Sequence, residues 1–220
     1  MTKISTFICF TGIDGSGKST YADKLTEYLQ QNNIKANCVW MRMNYLFTRP
    51  LLLLCRLVGL TKRPVIQGQK ISVHEFQNST LMSSMLQYMH AFDTFLKYIF
   101  KVYLPRKRGI IIISDRYIYD ILIDFAIESK DNSIFQKKIT YMLSKLLPDD
   151  AIQFIIETPK EVILNRRPDV SIFDPYFDER YILYKELALQ KQFIQINNTK
   201  SIESNFKTII KELGIKGEIN

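Results

Sequence analysis

The sequence predicts an α/β fold, a five-stranded parallel sheet with helices on both faces, as a single domain over residues 1–220. Three observations support this. A glycine-rich phosphate loop sits between an apolar strand and a helix, strand and helix patterns alternate to the end of the chain, and four consecutive isoleucines read as a fully buried central strand.

Strand patterns fall near residues 5–11, 35–41, 110–114, 151–157 and 192–196. The first runs into FTGIDGSGKST, where Gly12, four residues and then Gly17-Lys18-Ser19 satisfy the G-x-x-x-x-G-K-[ST] pattern. After it, STYADKLTEYLQQ places Tyr21, Leu25 and Leu29 on one helical face. That order makes Gly12, Asp14, Gly15, Ser16, Gly17, Lys18, Ser19 and Thr20 the candidate cradle for a polyphosphate, as in the three-layer P-loop NTPases. The glycines let backbone N–H groups turn inward and the following helix points its positive end at the phosphates. Lys18 is expected to reach the terminal phosphates and Ser19 a Mg²⁺ ion.

The second strand ends near Trp40 and Arg42, where a second ligand would enter; a lone Trp is more often packing than a stacking platform. FTRPLLLLCRLVGLTKRP, residues 47–64, is too short to span a membrane and reads as a short helix over the substrate cleft. The longest helix precedes Arg106, with Met82, Met85, Met89, Phe92, Leu96, Ile99 and Tyr103 at helical spacing as its expected core stripe. His74 is expected at a helix start and His90 as a half-buried helical residue. In GIIIISDRYIYDILIDF the buried strand ends at Ser114-Asp115-Arg116-Tyr117, the end at which open α/β sheets bind ligands. Asp115 there can order Mg²⁺ and its water or accept a proton. Arg116 offers a fork of donors suited to a second phosphate, or an ion pair at a helix start.

The chain has 220 residues, 46% of them hydrophobic, which suits one domain with a well-buried core. Its start reads as a strand, so no signal peptide and no membrane anchor are expected, and the location expected is cytoplasmic. Cys9, Cys38 and Cys55 lack metal or disulfide spacing and read as buried thiols. The net charge of +8, with Arg106-Lys107-Arg108 and Lys62-Arg63, raises nucleic acid as a partner; a protein that clamps two anions needs such an excess anyway, so no nucleic-acid partner is expected.

GIDGSGKST, SDRY about a hundred residues later, LLPD before AIQFIIET, and EVILNRRPDVSIFDPYFDERYILYKELA together resemble the thymidylate kinase family of P-loop nucleoside monophosphate kinases. The resemblance covers most of the chain. It implies transfer of the γ-phosphate of ATP to dTMP, with ATP and Mg²⁺ required, a lid near residues 165–178, and dimers, which are common in that family. It places Lys18 on the transferring group, Ser19 and Asp115 on the Mg²⁺ side, Arg116 on the acceptor phosphate and Asp14 on the acceptor sugar. Some relatives carry a P-loop arginine where this chain has Gly15, which leaves Arg166 and Arg167 of the lid to supply that charge. Adenine is expected near residues 196–201.

Departures from the family concentrate where the acceptor base is read. WMRMNYLFTRP replaces a Glu-Pro-Gly-Gly type loop, with Arg42 or Arg49 as substitutes, and the base-stacking and thymine-reading positions fall at His90 and Thr94. Phe92 or Phe95 would take the stacking role if the alignment carries a gap. Asp120 stands where the family has a small serine, and Asp124 follows one turn later. Both acids either face solvent near a helix start or hydrogen-bond part of the acceptor. Three readings follow: a dTMP kinase; a kinase of the same fold for another nucleotide, nucleoside or sugar phosphate; and a nucleic-acid-dependent ATPase or GTPase switch. The chain has no N-K-x-D guanine motif to favour a GTPase.

Overall fold

The computed structural model describes residues 5–42, 46–66, 68–70, 73–74, 79–190 and 192–215. Five strands form the main sheet: β1 (Phe7–Thr11), β2 (Ala36–Trp40), β3 (Ile111–Asp115), β4 (Ile152–Glu157) and β5 (Phe193–Asn197). All pair in parallel, in the spatial order β2-β3-β1-β4-β5. Asp115 lies in register with Phe10 on one side and Trp40 on the other, so the carboxyl ends of β1, β2 and β3 are level. The order reverses at β1, and the crevice above such a reversal is where open α/β sheets take ligands.

Helices cover both faces. On one, Tyr21, Leu25 and Leu29 of α1 (Lys18–Gln31) pack with Phe206, Ile209 and Ile210 of α9 (Ile202–Glu212) against Ile8, Phe10, Ile113 and Phe154. On the other, α3 (Thr80–Tyr98), α4 (Ile118–Ser129), α5 (Lys138–Ser144) and α8 (Phe177–Ala188) enclose Phe7, Cys9, Ile112 and Ile155. Between β4 and α8 run two short helices, α6 (Lys160–Arg166) and α7 (Asp169–Phe173). Among the described residues no helix is long and apolar enough to cross a membrane.

The helix α3 differs from its expected pattern. Met85, Phe92 and Tyr103 are exposed, while Ser83, Leu86, Gln87, His90, Ala91, Asp93 and Thr94 face inward. Apolarity is a poor guide here because the inward polar groups have partners: Thr94 Oγ1 donates to the His90 carbonyl, and Asp93 accepts from the Phe47 and Thr48 N–H groups and from Thr48 Oγ1. Asp93 thereby caps α2 (Thr48–Leu57), the helix expected from the 47–64 segment, which lies along α3 with Leu51 and Cys55 against Leu86. Beyond Tyr98 the helix widens into a π-helical turn (Ile99–Tyr103) and ends in Leu104–Lys107, where Pro105 has no N–H to give back to the preceding turn.

Two other expectations are corrected. His74 is in a two-residue strand, Val73–His74, paired with Thr61–Lys62, rather than at a helix start. Cys38 is exposed on the edge strand β2, whereas Cys9 and Cys55 are buried; all three are free thiols. The cation Arg106 is also committed, its guanidinium joining Thr6 and Asp150 at the amino ends of β1 and β4.

Because Asp93 closes the start of α2 through three donors, Asp93→Ala is expected to lower stability by roughly 2 kcal/mol. Urea unfolding of the two proteins measures the difference; equal midpoints would show that the cap contributes nothing.

Candidate functional site

The phosphate loop is held from below by the neighbouring strands. The Ser16 carbonyl accepts from Thr158 Oγ1 at 3.0 Å, just past β4, and from Asn198 Nδ2 at 2.7 Å, just past β5. Asn198 is fixed in turn by the Tyr21 hydroxyl at 2.6 Å, and Tyr21 by Asn205 at 3.0 Å. The segment expected near adenine thus abuts the loop. Gly15 and Gly17 have φ of +84° and +97°, and a Cβ on either would come within 2.9 Å of Ile163 Cγ2 or 2.8 Å of Asn198 Nδ2. Lys18 is buried and donates to the Ile13 carbonyl at 2.8 Å. Burial lowers its ammonium to about 8, against the opposing pull of the Asp120 and Asp115 carboxylates. Thr20 points to the exposed side of α1.

Ser19 Oγ donates to Asp115 Oδ2 at 2.6 Å, and Asp115 Oδ1 is buried without a hydrogen-bond partner. Burial raises the Asp115 carboxyl, opposed by Ser19 and Lys18. An orphaned carboxylate oxygen beside a hydroxyl and a phosphate loop fits a hard cation that takes two protein oxygens and completes its shell with phosphates and water. No cluster of three or more His, Cys, Asp or Glu ligands occurs among the described residues.

Beside the loop, two arginines converge on Asp14. Arg116 has φ of +70°, a conformation disfavoured for a residue with a side chain, secured by its N–H to the Phe10 carbonyl at 2.9 Å and its carbonyl to Ser114 Oγ at 2.6 Å. That backbone turns its guanidinium onto the Asp14 carboxylate, and Arg42 reaches the same carboxylate at 3.0 Å. The Arg116 Nη1 group is buried without a hydrogen-bond partner. Two guanidiniums converging on one carboxylate next to Lys18 outline a place for a phosphate.

Asp120 is buried and Asp124 is only partly exposed, its carboxylate turned to arginines; neither faces solvent as one expectation had it. Asp120 accepts from Thr11 Oγ1 at 3.2 Å, the Tyr117 N–H at 3.0 Å and the Tyr184 hydroxyl at 2.7 Å, with Arg116 at 3.8 Å. Its oxygens are thus occupied by the protein, which leaves it a scaffold for Arg116 rather than a reader of the acceptor. Asp124 takes Arg42 through Nε at 2.6 Å and Nη2 at 2.7 Å, and is also paired with Arg180. Burial alone would raise Asp124, but the two guanidiniums outweigh it and hold the carboxyl well below the usual range. His90 is buried edge-on to Phe125, and burial lowers its imidazole to about 4, so it is neutral near pH 7.

The arginines of the 165–178 segment separate. Arg167 has its Cβ 3.6 Å from the position a Gly15 side chain would take, yet its guanidinium turns back to Asp169 at 2.7 and 2.8 Å. Arg166 is exposed. Of the two substitutes considered for the altered loop, Arg42 enters the site and Arg49 is exposed at the start of α2; Met43, Asn44 and Tyr45 lie outside the described residues. Sequence reasoning missed Arg180. Its signal was a charged residue on the otherwise apolar stripe Phe177, Tyr184, Leu187 of α8.

The chain is similar to thymidylate kinase from Plasmodium falciparum (isolate 3D7), with 24% identity over 96% of this chain and 90% of that protein. Its fold matches the crystal structure of thymidylate kinase from Ehrlichia chaffeensis with a TM-score of 0.59 and 18% identity, covering 97% of this chain and all of the other. No family model matches the sequence. In sequence the chain resembles thymidylate kinase, and it shares that enzyme's fold, a parallel sheet with a phosphate loop after its first strand.

An ammonium lowered to about 8 loses its charge as the pH rises through that value, so a polyphosphate that needs the charged form must bring a proton with it. Affinity for a polyphosphate, with ATP as the probe, is therefore expected to fall by up to about tenfold per pH unit above pH 8. Lys18→Arg, which cannot deprotonate there, should flatten the dependence; calorimetric titration of both proteins between pH 7 and 9.5 decides, and parallel slopes would contradict the assignment.

Proposed function

We propose that the chain transfers the γ-phosphoryl group of ATP to the phosphate of a nucleoside monophosphate, dTMP being the acceptor to which the relatives' names point. The observation that carries this reading is the convergence of Arg42 and Arg116 on Asp14 beside Lys18, which sets a second anion subsite against the loop that would hold the triphosphate. A simple hydrolase has no use for such a subsite.

In this reading an acceptor phosphate oxygen attacks the γ-phosphorus, the bond from that phosphorus to the β,γ-bridging oxygen breaks, and ADP leaves. Arg116 and Arg42 take the acceptor phosphate and blunt its repulsion from the incoming anion. Lys18 follows the transferring group, and its charged form is restored by the phosphates it meets. Asp14, displaced from the arginines by the acceptor phosphate, becomes available to a sugar hydroxyl. Ser19 and Asp115 would hold Mg²⁺, which supplies charge neutralisation to the phosphates. Gly15 leaves the loop without an arginine of its own, so Arg166 and Arg167 supply the remaining positive charge once residues 165–178 close as a lid and exclude water. That closure breaks the Arg167–Asp169 pair, which is solvent-exposed and weak.

A specific observation favours the second reading, a different acceptor on the same chemistry. Thr94 is fully buried with its hydroxyl donating to its own helix, and His90 is buried and neutral, so the positions that would read and stack thymine offer neither an arginine nor a phenylalanine. ADP release with ATP and Mg²⁺, run with dTMP, dUMP, dCMP, dGMP, thymidine and no acceptor, separates the readings. Strong stimulation by dTMP alone is the first expectation; stimulation by another acceptor moves the assignment to the second reading, and turnover indifferent to every acceptor refutes the first and the second for these nucleotides and this nucleoside.

We also propose a second copy of the chain as the partner of α3. Leu81, Met85, Tyr88, Phe92 and Phe95 alternate at four and three residues along its exposed face, the spacing of a helix-pairing seam. Sedimentation should give a dimer for the natural chain and a monomer for Phe92→Glu; a monomeric natural chain would refute the proposal.

A further inference from the structure

Arg180 is a buried cation that the phosphoryl chemistry above does not use. Its Nε donates to Asp174 at 2.9 Å, in the loop between α7 and α8, and its Nη1 to Asp124 Oδ1 on α4. Asp124 grips Arg42 through two nitrogens, and Arg42 reaches Asp14 in the phosphate loop. Alternating charges therefore run without a break from the lid segment to the loop. Stability does not require them, because two buried guanidiniums and a carboxylate are costly to desolvate and well-packed apolar side chains commonly serve as well.

The same helix makes a second contact of this kind. Four residues after Arg180, Tyr184 donates to Asp120, the carboxylate behind Arg116. The helix that follows the lid thus supplies one hydrogen-bond donor to each carboxylate backing an acceptor-side arginine. Any shift of α8 would be felt by Arg42 and Arg116 together.

We propose that Arg180 is a positioning residue that, through Asp124, aims the Arg42 guanidinium at the acceptor's anionic group and, through Asp174, ties that aim to the lid. The inference rests on the phosphoryl-transfer reading for its substrate, but its physical content is an anion subsite whose affinity depends on α8. The coupling is reciprocal: an acceptor that draws Arg42 away from Asp14 alters the hold of Arg180 on Asp174.

The test uses the full chain as Arg180→Met, Arg180→Lys, Asp174→Asn and the Arg180→Met/Asp174→Asn double variant. Binding of inorganic phosphate is measured by calorimetry, and acceptor KM, ATP KM and kcat are measured with the best acceptor of the panel. For Arg180→Met, phosphate affinity is expected to fall and acceptor KM to rise roughly tenfold, with ATP KM within about twofold of the natural value. Arg180→Lys should recover part of the loss. Asp174→Asn should have a smaller effect of the same kind that disappears in the double variant, because both act through one contact. If Arg180→Met fails to fold, the half-exposed Asp174→Asn carries the same readout.

Unchanged phosphate affinity and acceptor KM in folded Arg180→Met, additive effects of the two substitutions, or a natural chain that binds no phosphate would each overturn the inference. A natural chain that phosphorylates nothing but binds phosphate more tightly than Arg180→Met would sink the phosphoryl-transfer reading and leave the positioning role standing.

Discussion

Three guanidiniums, those of Arg42, Arg116 and Arg180, are withdrawn from water above the sheet, and each meets a carboxylate that another element supplies. This pairing is the constraint on which the site depends, because an unpaired buried charge would cost several kcal/mol, about as much as a domain of this size has in reserve. Asp14 comes from the phosphate loop, Asp124 from α4 and Asp174 from the turn between α7 and α8, so the charges can be neutralised only when these parts are correctly docked. The ion cluster specifies the geometry of the site; the apolar clusters on the two sheet faces supply the stability.

The phosphate loop obeys a different rule. There the requirement is that loop N–H groups stay free for a ligand while the loop's own carbonyls are satisfied elsewhere. Thr158 and Asn198 meet that requirement at the Ser16 carbonyl, and Tyr21 and Asn205 hold Asn198 in place. Stepping in a Cβ at Gly17 would push Asn198 away and loosen the loop from β5. Lys18 lies buried between rigid loop backbone on one side and paired charge on the other.

How much of this was legible in the sequence follows from the range of the interactions. All five strands, the loop and the α1 face could be read because periodicity and the phosphate signature are local, and Asp115 and Arg116 because a buried strand ends at them. The inward face of α3 could not be read from apolarity, since Asp93 and Thr94 are buried by contacts that only the docked α2 or the helix backbone provides. Asp120 and Asp124 were read as either solvated or ligand-facing; their true partners, Tyr184, Arg42 and Arg180, are 64, 82 and 56 residues away in sequence. His74 was drawn into a strand by Thr61, a pairing too short to leave a pattern. Cys38 is exposed because β2 is an edge strand, which depends on strand order, not on the residues around it.

Strand order and charge pairing together limit what can discriminate among acceptors. Under the phosphoryl-transfer proposal the acceptor's phosphate meets cationic side chains, but the α3–α4 wall beside them is electrically quiet. Burial keeps His90 neutral, and burial together with the Asp124 carboxylate raises Glu128 to about 8, so that it too is largely uncharged near pH 7. Asp124 retains its charge, but that charge is spent on Arg42 and Arg180. A base lying against such a wall is told apart by shape and by neutral hydrogen bonds. Shape alone, such as one methyl group in an apolar pocket, discriminates by only about 10- to 200-fold. Greater selectivity needs a buried polar group that the wrong base leaves unpaired, and such a group has to come from the wall itself, because Arg42, Arg116 and Arg180 are already directed at carboxylates.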